Sequence, residues 1–134
     1  MHAIEIKVRG YHLDVFGHVN NARYLEFLEE ARWALFDSKV NLEDLARDGY
    51  VFTVVNININ YRQPAFLHDV LRIETRLAEF GKRSAILRQI VKNKTTGAVV
   101  ADANVTFVMV AIKEQKAAAL EGMLKERIIQ VLEG

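Results

Sequence analysis

The chain has 134 residues, 51% hydrophobic and 26% charged, which is typical of one soluble globular domain spanning residues 1–134 and argues against extended disorder. The net charge of +1 argues against a broad nucleic-acid or membrane footprint, and no stretch of eighteen apolar residues predicts a transmembrane helix. The absence of cysteine excludes disulfides, thiol nucleophiles and thiolate metal sites, and no signal-peptide pattern is present, so we expect a cytoplasmic protein.

The first part of the chain predicts a strand and then a long helix. Apolar and charged residues alternate over residues 4–9, which is the two-residue period of a strand with one apolar face. After a turn-rich connection, the apolar residues of 21–38 fall on one broad helical surface, with Asn20 or Asn21 as the N-cap. Such a surface indicates a helix enclosed by other elements, and we expect three of its aromatic residues in the core: Phe27, Trp33 and Phe36. The alternative for some of these three is to line an acyl channel between the helix and a partner subunit.

The remainder predicts a short helix from Asn41 to Arg47, four strands and a final amphipathic helix over residues 120–131. Period-two alternation places the strands at residues 55–62, 71–77, 82–92 and 99–109. Short connections between strands favour antiparallel neighbours. The elements therefore predict an α+β domain, in which an antiparallel five-stranded sheet wraps around the long helix and a C-terminal helix is added. A generic α+β sandwich with helices on one face is the alternative.

One row of side chains on the strand at 55–62 is unusual. Asparagine is depleted in strands, yet Asn56, Asn58 and Asn60 share one parity. The row lines a hydrated interface between subunits or faces solvent, and the sequence leaves both interpretations open.

The stretch from Tyr11 to Tyr24 carries the candidate chemistry. Asp14 lies in the loop before the long helix, and Gly17 lets the backbone turn between them. The first amides of a helix lack internal partners and carry the positive end of its dipole, so they would polarise a substrate carbonyl group placed there. A nearby carboxylate can then attack the carbonyl carbon or activate a water. From spacing alone, an ordinary loop or helix-capping aspartate is the simpler interpretation.

Two segments carry a family resemblance. The first is the run Asp14-x-x-Gly17-His18-Val19-Asn20-Asn21-x-x-Tyr24, continued by Glu29-Glu30-Ala31-Arg32. The second is Asn60-Tyr61-Arg62-Gln63-Pro64-Ala65 with His68-Asp69-Val70-Leu71. Together they resemble the 4-hydroxybenzoyl-CoA thioesterase branch of the hotdog superfamily, and the likeness to its bacterial long-chain acyl-CoA thioesterases extends over essentially the whole chain. The resemblance implies the hotdog fold and hydrolysis of an acyl-CoA, of long chain length, to a free fatty acid and CoA.

The resemblance also assigns residues. The family's catalytic aspartate falls on Asp14, as nucleophile or general base, and its turn glycine falls on Gly17. The backbone amide that polarises the carbonyl falls on Asn21. In the aromatic-acyl members this last position is aromatic, whereas this chain has Asn, which argues against an aromatic acyl group.

Other residues near the motif have a functional and a structural interpretation. His18 orients the water or the thioester, or it hydrogen-bonds across a subunit interface. In another hotdog branch the catalytic carboxylate is a glutamate on the central helix, which makes Glu26, Glu29 and Glu30 candidates. The simpler interpretation places these three on a solvated or salt-bridged side of the helix.

Basic residues and histidines further along the chain complete the candidates. Arg62, Lys82 and Arg83 are candidates to bind CoA phosphates, because guanidinium and ammonium groups suit phosphate recognition. As charges that flank strands, they are also ordinary surface residues. His12 and His68 are isolated, and no set of His, Asp and Glu has metal-ligand spacing, so we expect neither a metal nor another cofactor.

The resemblance further implies a homodimer at minimum, with sheets joined edge to edge and active sites between subunits, and it favours a homotetramer. Acyl-CoA is the expected partner, with no nucleic acid and no membrane insertion.

Two other functions stay open from the sequence. A hotdog 3-hydroxyacyl thioester dehydratase needs a histidine placed against an acid, for which only His18 is a candidate. A non-catalytic acyl-CoA binding module would bind the ligand without releasing a thiol.

Overall fold

The computed structural model describes residues 1–39 and 42–133. Within these ranges the elements are β1 (His2–Lys7), a 3-10 turn (Gly10–His12), α1 (Asn21–Lys39), α2 (Leu42–Arg47), β2 (Tyr50–Tyr61), β3 (Val70–Phe80), β4 (Ala85–Asn93), β5 (Val99–Ala111), β6 (Lys116–Ala117) and α3 (Gly122–Glu133). The predicted start of the short helix, Asn41, lies outside the described residues. The two-residue β6 escapes prediction because it is too short to show a period.

The five long strands form one antiparallel sheet in the order β1-β3-β4-β5-β2, and β6 pairs with the end of β5. The sheet curls around α1, whose apolar residues join core clusters with residues from all five long strands. This arrangement confirms the predicted α+β hotdog fold with its additional C-terminal helix.

The connection between β2 and β3 is short, but these two strands are not neighbours in the sheet. The expectation that short connections join antiparallel neighbours is therefore wrong for this pair. β2 lies at one edge beside β5, three strand positions from β3. Residues 62–69 can span this gap of about 14 Å, because an extended chain advances about 3.3 Å per residue. The crossing brings Arg62, Gln63 and Pro64 beside the N-terminus of α1.

Two bulges explain where the predicted strand patterns are wrong. β2 begins at Tyr50, five residues before its predicted start, because a register shift between Val54 and Asn56 reverses the parity that faces inward. A second shift between Val91 and Lys92 interrupts the alternation at the start of β5, where Val99 is exposed and Val100 is buried. β4 begins at Ala85 rather than at Lys82, because residues 82–84 belong to the preceding turn.

The core has two clusters along α1. Phe27 and Leu28 belong to the cluster near the start of the helix, and Leu35 and Phe36 belong to the cluster that α3 covers. The core prediction is confirmed for Phe27 and Phe36, but it is wrong for Trp33, whose side chain is 52% exposed. No described element covers that side of α1, so the helix is not enclosed on every face.

The asparagine row lies on the outer face of the sheet. Asn56, Asn58 and Asn60 are exposed there. Asn58 lies opposite Asn104 of β5, and the Asn60 amide donates to the Asp102 carboxylate at 3.3 Å. In the single chain, therefore, this row faces solvent.

A buried polar layer, consisting of Arg32, Thr75 and Gln89, lies between the two core clusters. The Arg32 guanidinium donates to Gln89 Oε1 at 3.1 Å. Gln89 Nε2 donates to Thr75 Oγ1 at 2.9 Å and to the Leu28 carbonyl at 3.0 Å, which ties the sheet to α1. Burial lowers the pKa of Arg32, while the nearby Glu29 carboxylate raises it. The single amide of Gln89 therefore serves three partners.

We expect Gln89→Leu to lower the free energy of unfolding by about 3 kcal/mol, because it leaves a buried guanidinium without its acceptor. Urea denaturation at fixed protein concentration measures this change. The double variant Arg32→Met/Gln89→Leu is the control, since it removes the charge together with its acceptor and should recover at least about half of the loss. An equal or larger loss in the double variant would contradict this explanation.

Candidate active site

The loop before α1 is a tight hairpin. Leu13 and Val19 form a bridge, and the Asp14 amide donates to the His18 carbonyl at 2.8 Å. Gly17 has φ +79° and donates its amide to the Asp14 carbonyl at 3.1 Å. This conformation suits glycine because side chains disfavour positive φ. The hairpin therefore places Asp14 next to the first turn of α1.

One oxygen of the Asp14 carboxylate holds the loop together. Oδ1 accepts hydrogen bonds from the amides of Phe16 at 2.9 Å and His18 at 3.3 Å. Oδ2 has no hydrogen-bond partner among residues 1–39 and 42–133. The structural and the catalytic interpretations are therefore compatible, because the loop fixes the side chain through one oxygen and leaves the other open.

The start of α1 distinguishes the roles of its two asparagines. Asn20 is the N-cap: its Oδ1 accepts from the Ala22 amide at 2.9 Å and its carbonyl accepts from Arg23 at 2.9 Å. Asn21 is the first helical residue, and its amide has no acceptor in the described part of the chain. The Tyr61 hydroxyl donates to the Asn21 carbonyl at 3.1 Å, which attaches β2 to the helix start. One unpaired amide thus lies at the positive end of the dipole.

A cavity of about 490 Å³ brings these groups together. It includes four of the predicted site residues, namely Asp14, His18, Asn21 and Arg62, while Gly17 shapes the loop behind them. Residues that sequence reasoning did not assign to the site also line it: Val19, Asn20, Tyr24, Tyr61, Gln63 and Pro64. The residues from Tyr61 to Pro64 belong to a segment that carries the family resemblance, and this resemblance was the signal in the sequence that pointed to them.

Two polar rings in this cavity are poor candidates for the base. Burial raises the pKa of Tyr24 to about 12, so its phenol stays protonated at neutral pH. The His18 imidazole packs edge-on against Phe66 with ring centroids 5.1 Å apart. The hydrogen bonds between His18 and Asp14 in the described structure use the backbone amide and carbonyl of His18 and not its imidazole. Among the described residues that line the cavity, therefore, no histidine side chain is hydrogen-bonded to a carboxylate, which is the pairing that the dehydratase function needs.

Arg62 is held at the cavity by a buried carboxylate. Its Nε lies 2.6 Å from Asp102 Oδ2, and Arg88 lies 3.1 Å from Asp102 Oδ1. The hydrogen bond from Arg62 holds the pKa of Asp102 below its usual value, with further contributions from Asn60 and Arg88. The Arg62 side chain stays 54% exposed, so its guanidinium is fixed in direction yet accessible to an anion.

Lys82 and Arg83 lie far from this cavity. Their turn follows the eleven-residue β3, about 35 Å along the strand from its start beside the Asp14 loop. There, Arg83 donates to the Ala117 carbonyl at 3.0 Å and the Lys82 carbonyl accepts from Leu120 at 2.7 Å. Within one chain, these two residues do not approach Asp14.

The three helix glutamates also lie outside the Asp14 cavity. Glu26 pairs with Arg23 at 3.0 Å, and Glu26 and Glu30 line a separate cavity of about 320 Å³. Glu29 lines a groove at the other half of α1. Among the described residues that line the cavity beside the helix start, therefore, Asp14 is the one carboxylate.

His12 has a structural role. Its Nδ1 accepts a hydrogen bond from the Arg9 amide at 2.9 Å, and burial, followed by the charges of Arg23 and Arg9, lowers its pKa.

Among the described residues, no group of three or more His, Cys, Asp and Glu side chains is placed to hold a metal ion. None of the helices in the same ranges is long and apolar enough to cross a membrane.

Comparison with known proteins gives consistent matches. A family model described as the thioesterase-like superfamily matches residues 8–128. The long-chain acyl-CoA thioesterase FadM of Escherichia coli is 52% identical over 128 residues, which cover 96% of this chain and 97% of that protein. The crystal structure of YbaW, a probable thioesterase from Escherichia coli, has a TM-score of 0.94 at 51% identity and covers 98% of this chain and 99% of that chain. A 1,4-dihydroxy-2-naphthoyl-CoA thioesterase from Synechocystis has a TM-score of 0.83 at 19% identity, covering 98% and 94%, and shares the fold alone.

Proposed function

Because the chain belongs to the thioesterase-like superfamily, we propose that it hydrolyses the thioester of a fatty acyl-CoA to a free fatty acid and CoA. The observation that carries the proposal is the placement of the Asp14 carboxylate and the unpaired Asn21 amide on one cavity. The first supplies the attack and the second stabilises the charge that the attack creates.

The reaction uses the two groups in sequence. The Asn21 amide donates to the thioester carbonyl oxygen, and the helix dipole favours the negative charge that develops there. Asp14 then attacks the carbonyl carbon directly, and water hydrolyses the resulting anhydride, or Asp14 takes a proton from a water that attacks. In both routes the carbon–sulfur bond breaks, the acyl group gains oxygen from water, and the thiol of CoA leaves with a proton.

The substrate assignment rests on the relatives and on the charges at the cavity. FadM, half of whose residues are identical to this chain, is a long-chain acyl-CoA thioesterase, so we assign long-chain fatty acyl-CoA to this chain. Arg62 is our candidate for binding a CoA phosphate, because its guanidinium is fixed and half-exposed at the cavity. Lys82 and Arg83 can contribute only to a site that another protomer completes.

We further propose a homodimer that assembles into a homotetramer, located in the cytoplasm. β2 supports the dimer: it is a twelve-residue edge strand, paired on one side with β5 and without a described partner on the other. Edge strands of this length pair readily with another strand. Val51 and Val55 are exposed large hydrophobic residues on this strand, and a partner would cover them.

Release of the CoA thiol from a panel of acyl-CoAs, from butyryl to palmitoyl and including benzoyl, tests the function. We expect rapid release from the aliphatic substrates, more efficient for long chains, and little from benzoyl-CoA. Circular dichroism shows whether the protein is folded in the same preparation. A folded protein that releases no thiol from any substrate would overturn the proposal.

A further inference from the structure

One segment of the chain contacts both sides of the Asp14 cavity. It spans residues 61–66, from the last residue of β2 into the connection with β3, and is termed the crossing segment. The amides of Arg62 and Gln63 both donate to the Val100 carbonyl, at 2.8 and 3.2 Å, which attaches this segment to the start of β5. Pro64, the single proline of the chain, restricts its backbone further. The crossing segment is therefore a firmly held wall of the cavity.

Backbone contacts join the crossing segment to the hairpin that carries Asp14. The Val19 amide donates to the Ala65 carbonyl at 2.9 Å, and His18 and Phe66 form a β-bridge. The rings of His18 and Phe66 also pack edge-on against each other. On this side of the cavity, the main chain therefore sets the position of the carboxylate relative to the crossing segment.

The contact between the crossing segment and the helix start depends on side chains. The Tyr61 hydroxyl donates to the Asn21 carbonyl at 3.1 Å, and among the described residues it is the side-chain group that reaches this peptide. The Tyr61 ring packs edge-on against Tyr24, in the first turn of α1, with ring centroids 5.5 Å apart. Asn21 is also the residue whose amide we assign to the oxyanion. One hydroxyl thus links the carbonyl-polarising residue to the wall that fixes the Asp14 hairpin.

We propose that Tyr61 is a positioning residue, whose hydroxyl holds Asn21 in place relative to Asp14 during acyl-CoA hydrolysis. The inference rests on the proposed function and adds a residue that acts through Asn21. An oxyanion donor is effective only within about 2.7–3.1 Å of the oxygen, so a small shift of the helix start weakens it. The single proton of the Tyr61 hydroxyl is donated to Asn21, so it is not available to the thioester oxygen. Loss of the hydroxyl should therefore affect kcat rather than KM.

The first test is Tyr61→Phe, which removes the hydroxyl and retains the ring that packs on Tyr24. We expect kcat for palmitoyl-CoA to fall about three- to tenfold, the effect of one neutral hydrogen bond, with KM within about twofold of wild type. Tyr11→Phe is the matched control, because Tyr11 is exposed and does not line the Asp14 cavity, and it should change neither value. Circular dichroism and size-exclusion chromatography show whether fold and assembly are retained.

The second test separates positioning from a general structural role. Asn21→Pro deletes the amide that Tyr61 is proposed to position, so adding Tyr61→Phe to it should lower kcat by less than about twofold. Single-turnover measurements with excess enzyme make the slow variants comparable. An equal loss in both backgrounds, an unchanged kcat in Tyr61→Phe, or a rise in KM alone would overturn the positioning role and leave the proposed function standing. Failure of the wild type to release thiol from any acyl-CoA would overturn the proposed function, and this inference with it.

Discussion

Asp14→Asn should lower kcat for acyl-CoA hydrolysis by at least about 10²-fold, the usual contribution of a positioned acid–base or nucleophilic group. The substitution is nearly isosteric, and the amide oxygen of Asn can still accept the loop hydrogen bonds from Phe16 and His18. The loop conformation is therefore retained while the ionised oxygen at the cavity is lost. Thiol release under saturating substrate measures the effect.

The matched control is Asp69→Asn. Asp69 is also a loop carboxylate that accepts a backbone hydrogen bond, from Phe66 at 2.9 Å, but it does not line the Asp14 cavity. Its kcat should stay within a few-fold of wild type. A loss below about tenfold in Asp14→Asn would remove Asp14 from the reaction, and Glu29→Gln would then test a candidate carboxylate on the central helix.

Asn21→Pro should lower kcat by about 10²- to 10³-fold, because it deletes the one amide that we assign to the oxyanion. Proline is well tolerated at the first position of a helix, where the amide is unpaired in any case. The preceding N-cap residue usually has extended backbone, which is also what proline requires of its neighbour. The substitution thus removes a single hydrogen-bond donor and leaves the helix in place.

Asn21→Ala separates the backbone from the side chain. It retains the amide and should keep kcat within a few-fold of wild type. Equal losses in Asn21→Ala and Asn21→Pro would show that the side chain carries the effect and would contradict the oxyanion assignment. Thermal denaturation of both variants checks that α1 is intact.

The structure of the candidate catalytic segment could be predicted because its geometry is local. Asp14, Gly17 and Asn21 lie within eight residues, and one turn followed by a helix start fixes their arrangement. The central helix that follows this segment could also be predicted, because the helical period of apolar residues continues through α1. Arg62 was a candidate because its guanidinium suits phosphate recognition, and its fixation by Asp102 depends on a pairing between β2 and β5 that no local pattern encodes.

The wrong predictions have physical causes. A bulge inverts a two-residue alternation, so the parity rule is wrong at the start of both β2 and β5. Trp33 is apolar and lies on a helix, but burial depends on whether another element covers it, and no described element does. Lys82 and Arg83 stay candidates for a site that another protomer completes, because the length of β3 separates them from Asp14 within one chain.

The buried polar layer also fixes strand alignment. Thr75 of β3 lies opposite Gln89 of β4, between the aliphatic pairs Ile73–Val91 and Leu77–Leu87. A slip of two residues keeps every side chain on its face and exchanges one aliphatic contact for another, so the apolar core alone barely resists it. The same slip would place Gln89 opposite Ile73 or Leu77 and break its hydrogen bond with Thr75. The layer therefore selects one alignment among several of similar packing energy, and a chain with an all-apolar layer would gain alternative registers even where it lost no stability.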